Sequence, residues 1–104
     1  MDHAVIAHLR LSDAGFGSEA EREAIFLLED RLTTAIERAR AGEFDGNEFG
    51  GGECTLYMYG PDADRLYNAI VPVLQMSPLG RGGYAIKRYG DARDPQSKEV
   101  RVAW

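Results

Sequence analysis

His8, with Tyr57 and Tyr59 on a later strand, is the group in this sequence best suited to moving a proton. Imidazole titrates near neutrality, and a phenol beside it can donate a hydrogen bond, which is what a general base with an electrophilic helper requires. A second constellation lies in "EFDGNEFGGGECTLYMYGPDADRL", residues 43–66, with five acidic side chains in its first twenty residues and three consecutive glycines. Backbone amides there, with Arg81, could hold an anion. Glu48 and Glu53 could instead hold a hard cation.

Each chemical reading competes with a plainer one. Glycine supplies positive φ at tight turns and lets loops approach one another. "SDAGFGS" (12–18), "GGG" (50–52) and "SPLGRGG" (77–83) do not have the Walker or dinucleotide spacing, and "DGNE" lacks the ligand spacing of a calcium loop. Asp13, Glu48 and Glu53 would also repel an anion. The long glycine-rich stretch is therefore read as a turn first. Glu48, Glu53 and Arg81 remain an alternative ligand-binding set. A histidine beside a tyrosine arises by chance on any sheet, so no catalytic residue, metal or cofactor is assigned.

The elements that must position these groups follow from periodicity. In "HAVIAHLRL" Val5, Ala7, Leu9 and Leu11 alternate with Ala4, Ile6, His8 and Arg10, the pattern of a half-buried strand. Ser18 and Glu21 have the spacing of a capping box. The helix they open carries Ile25, Leu28, Leu32, Ile36 and Ala39 in one stripe and should end near Gly42. "ECTLYMYG" alternates again, with Cys54, Leu56 and Met58 opposite Thr55, Tyr57 and Tyr59. A second helix follows, capped by Asp62 or Asp64, with Leu66, Ile70, Val73 and Leu74 inward and Pro72 kinking it or marking its last turn. "YAIKRYG" and "KEVRVAW" read as a hairpin with a long connection.

Residues 43–50 are the least clear. Read as a strand paired with 53–60, they give β-α-β-β-α-β with one added C-terminal strand. That is an α+β two-layer sandwich on the ferredoxin-like plan, a single domain over residues 1–104, with an antiparallel sheet and both helices on one face. Read as a loop, they leave β-α-β-α-β-β; the strand is preferred. Three glycine-rich loops then meet at one edge of the sheet.

Burying Cys54, Leu56 and Met58 against the helices leaves His8, Arg10, Tyr57 and Tyr59 on the open face. The fourth strand adds Lys87 and Tyr89, or in the other register Tyr84, Ile86 and Arg88; Tyr89 is included in the expected surface. Such a face resembles a stacking platform for bases or a protein interface. The net charge of −5, scattered Lys and Arg, and lack of an RNP-like pattern argue against nucleic acid and anionic membrane. His3 reads as solvated and Cys54 as a small hydrophobe. One cysteine excludes an internal disulfide. Without a signal-like start or any apolar run longer than "AIFLL", a cytosolic protein is expected.

The stretch "DGNEFGGGECTLYMYGPDADRL", residues 45–66, resembles a motif of small acidic bacterial proteins that carry no assigned activity. The resemblance implies a bacterial origin and a two-layer α+β domain, and assigns no chemistry. The resulting expectation is a non-catalytic interaction domain that forms a homodimer or binds another protein through the tyrosine-bearing face. The alternative is a small-molecule, anion or metal-binding domain with its site at the glycine-rich edge.

Overall fold

A computed structural model describes residues 2–104. The elements are β1 (His3–Arg10), α1 (Glu19–Ala39), β2 (Glu43–Gly50), β3 (Glu53–Gly60), α2 (Ala63–Met76), β4 (Tyr84–Arg88) and β5 (Glu99–Val102). The five strands form one sheet in the order β2-β3-β1-β4-β5, and every neighbouring pair is antiparallel.

Val5, Ala7 and Leu9 of β1, Cys54, Leu56 and Met58 of β3 and Ala85 of β4 cluster with Ile25, Leu28, Leu32 and Ile36 of α1 and Leu66, Ile70 and Leu74 of α2. Alternation puts all the strand members on one side of the sheet, so both helices pack there. Cys54 is fully buried among them. Burial, and then the charge of Glu29, push its thiol up to about 12. It should therefore resist Ellman's reagent at pH 8 in the folded protein and react promptly once urea exposes it. Reaction at the unfolded rate under native conditions would contradict that placement.

Residues 43–50 form a strand, and a bulge explains why their pattern is hard to read. Phe44 and Phe49 both pack against the core, although five residues of regular strand would point them to opposite faces. Pairing runs Phe44 to Met58 and then Gly46 to Tyr57, leaving Asp45 as an extra residue. That insertion rephases the strand, and Gly46 takes a φ of 152°.

Ser18 caps α1 as expected. Its hydroxyl accepts the Glu21 amide at 3.1 Å, and the Glu21 carboxylate accepts the Ser18 amide at 3.0 Å. The same carboxylate accepts the Ser12 amide and hydroxyl, which, with Ser18, hold it below the ordinary carboxylate range. The helix ends earlier than Gly42: Arg40 adopts the left-handed cap at φ 50° and donates its amide to Ile36 and Glu37. Gly42 serves a close approach instead. Its backbone and that of Gly60 cross so tightly that a Cβ on Gly42 would stand 2.0 Å from the Tyr59 carbonyl oxygen.

Asp62 caps α2, accepting the Asp64 and Arg65 amides. Pro72 lies on the solvent side, and the helix continues past it to Met76. His3 is not solvated. Half-buried, it accepts the Ala63 amide at 3.0 Å and meets the Tyr89 ring edge-on at 5.7 Å. The β1–β4 register, Val5 opposite Lys87 and Ala7 opposite Ala85, turns Lys87 toward the helices and Tyr84, Ile86 and Arg88 away from them. Tyr89 accordingly does not join the open face; it packs against the core and donates its hydroxyl to Asp64 at 2.5 Å.

Lys87 also donates to Asp64, at 3.0 Å, and lies over Tyr67. Tyr89 first, and Lys87 second, hold the Asp64 carboxyl below its usual range. A depressed folded value means stability that is present above the unfolded value of about 3.9 and is lost as pH falls through the folded one. Asp64→Asn should therefore lower the thermal midpoint at pH 7, with the difference shrinking as pH drops below 4. Melts across that range check it; a gap that widens in acid refutes it.

Candidate functional site

Register fixes which side chains share the helix-free face. Tyr57, Ile6 and Ile86 form its central row, with Tyr59, Ala4 and Arg88 on one side and Thr55, His8 and Tyr84 on the other. All are half-buried except Ala4, which is fully buried. The flanks are charged. Glu43 and Glu48 stand on the β2 side and Glu53 at the end of β3. Arg88 and Arg101 stand on the β4–β5 side, with Glu99 opposite Arg88.

Three planar groups stack beside the central row of this face. The His8 ring lies 4.7 Å from that of Tyr84 at 14°, and the Arg101 guanidinium carbon lies 3.8 Å from the Tyr84 ring centre. Arg101 is thereby placed by a cation–π contact, not by a carboxylate. His8 Nδ1 is 3.4 Å from Glu53 Oε2 and 3.5 Å from Thr55 Oγ1, both at the long end for hydrogen bonds. Its polar contacts go to these two and not to Tyr57 or Tyr59, so the base-and-phenol pairing is not assembled. Burial, then Glu48 and Tyr59, raise the Tyr57 phenol above its ordinary range. The face can pack and stack.

The glycine-rich edge is also on view. Leu11 donates its amide to the Gly52 carbonyl at 2.9 Å, and Gly52 to Gly15 at 3.0 Å, so the first two loops do meet. Asp13 Oδ1 accepts the amides of Gly15 and Gly17 at 2.9 and 3.0 Å. Together with Glu21 at Ser12 and Ser18, the chain's own carboxylates thus occupy the amides that an anion would need. Gly82 of the third loop approaches Arg10, and Arg81 borders a depression lined also by Trp104 and the end of α2. Glu48 and Glu53 sit on neighbouring strands, and no ion pair joins Arg81 to either among the described residues. The expected trio is not brought together.

Of the expected interface residues, His8, Arg10, Tyr57 and Tyr59 share the open face and Tyr89 does not. Arg101 was missed, though a signal existed: in "KEVRVAW", burying Val100 and Val102 sends Arg101 outward. Among the described residues, no group of three or more His, Cys, Asp or Glu is placed to hold a metal ion, and no helix is long and apolar enough to cross a membrane. Comparison with known proteins finds no matching family model, no matching curated protein and no matching solved structure.

Proposed function

We propose that this chain is a non-catalytic interaction domain, built on the ferredoxin-like plan with an added C-terminal strand, that pairs with a second copy through its open sheet face. The strand order and the placement of both helices on one side support the plan. The resemblance at residues 45–66 supports a bacterial origin.

One observation carries the reading. The central row of Tyr57, Ile6 and Ile86 lies between a flank with Glu43, Glu48 and Glu53 and a flank where Arg88 and Arg101 outnumber Glu99. A face-to-face pair related by a twofold axis along the strands sets the acidic flank of one copy over the basic flank of the other. Such self-complementarity is what an isologous contact needs. A foreign partner requires a matching surface of its own; a second copy already has it. Burying half-exposed tyrosine and isoleucine supplies the affinity, and the flanking charges set the orientation.

Light scattering after size exclusion tests this at micromolar concentration. The wild type should run at twice the chain mass. Tyr57→Lys sets an ammonium in the centre of the face and should weaken pairing by about 100-fold or more, the scale of a central hot-spot residue, leaving a folded monomer. A wild-type monomer that the substitution does not change would sink the homodimer.

A further inference from the structure

The helix layer has an outer surface that the sheet-facing stripes do not use. Along α1, Ala24, Leu27, Arg31, Ala35 and Arg38 recur at spacings of three and four, forming a second stripe. Facing it across a trough are Val73 and Met76 of α2 and Leu79 of the turn that follows. Leu27 is 65% exposed and Met76 85%, high values for large apolar side chains. One hollow of about 450 Å³ lies between the Arg31–Arg38 segment and α2. A second, of about 290 Å³, lies between Leu27 and Leu79. Arg31 borders both.

Length and charge indicate what fits. From Ala24 to Arg38 the α1 residues lining the two hollows span about 21 Å at 1.5 Å per residue, the length of a four-turn helix. Arg31 and Arg38 have no ion pair among the described residues, and neither has an acidic residue three or four positions away. Asp30 is the one acid on the lining of the larger hollow, which leaves two positive charges against one negative in a chain whose net charge is −5. The two arginines are seven residues apart, two helical turns, so a parallel or antiparallel helix with carboxylates at the same spacing meets both. An apolar floor between two helices with unneutralised arginines along it is the pattern of helix-in-groove recognition.

We infer that this trough docks an acidic amphipathic helix from another protein. It lies on the opposite side of the molecule from the open sheet face, so it stays available whatever that face does.

A synthetic peptide tests the inference on the full chain. The probe is a helix-forming sequence of about 15 residues with leucines on one face and glutamates at heptad spacing, beside a counterpart with lysine for glutamate. Fluorescence anisotropy should show micromolar binding of the acidic peptide alone, with amide shifts in nuclear magnetic resonance confined to residues 24–38 and 73–79. Arg31→Glu with Arg38→Glu should weaken binding by about tenfold or more, and raising salt to roughly 0.5 M should do likewise. Both arginines are exposed, and an unchanged circular dichroism spectrum confirms that the variant folds. Met76→Glu, an independent change on the opposite wall, should also weaken binding. The inference is overturned by any of four results: no binding up to about 1 mM, a range too weak for specific docking; equal binding of the lysine peptide; shifts that map to the sheet face; or a wild-type dimer that Met76→Glu dissociates, which assigns the trough to a second copy.

Discussion

Alanine at position 60 is expected to cost the protein more than about 3 kcal/mol, beyond the usual range for overpacking a core. A Cβ on Gly60 would stand 2.1 Å from the Ala41 carbonyl oxygen and 3.2 Å from its carbon. Both are backbone atoms, so no side chain can rotate away. The collision lies where the end of β3 crosses the link from α1 to β2. Relief requires separating those segments, which breaks the pairing of Glu43 with Tyr59 beside it. Against a total stability of about 5–15 kcal/mol, that loss removes a large share of the stability margin. Gly50→Ala is the control, since nothing lies within 4 Å of its added Cβ and its φ is not positive. Urea melts should show Gly60→Ala shifted far to low denaturant and Gly50→Ala close to wild type. Equal midpoints for the two would mean that the crossing is looser than described.

Leu56→Ala has the next largest expected effect, a loss of about 2–5 kcal/mol. Leu56 is fully buried in the middle of β3, opposite Ala7 of β1. The small Ala7 beside it, with the equally small Ala85 beyond it on β4, leaves little that can collapse into the space, which places the cost toward the upper end. Leu27→Ala deletes the same atoms from a side chain 65% exposed and should change stability by no more than about 0.5 kcal/mol. The comparison separates burial from residue type. A large loss at Leu27 with a small one at Leu56 would reverse the assignment of inside and outside on this domain.

Much of this architecture is legible in the chain because its signals are local. Ser18 and Glu21 announce α1, Asp62 announces α2, and strict alternation announces β1 and β3. β2 is harder because its bulge breaks the period of two that identifies a strand. The register of β4 was open because both phases of "YAIKRY" carry an aromatic; only pairing with β1 decides it. His3 looked solvated because its partner, the Ala63 amide, is 60 residues away. The glycine-rich edge shows the same limit more sharply. Asp13 looked like a charge that would repel an anion, and it is itself the anion those amides hold.

The bulge in β2 has a further bearing on how the protein behaves at high concentration. An outer strand with free amides and carbonyls invites another chain to add a strand of its own, the first step toward fibres. Here the extra residue at Asp45 interrupts that row, and Glu43, Asp45 and Glu48 load the same strand with negative charge. At the opposite border β5 offers only four residues. Growth of the sheet sideways is thus obstructed at both ends.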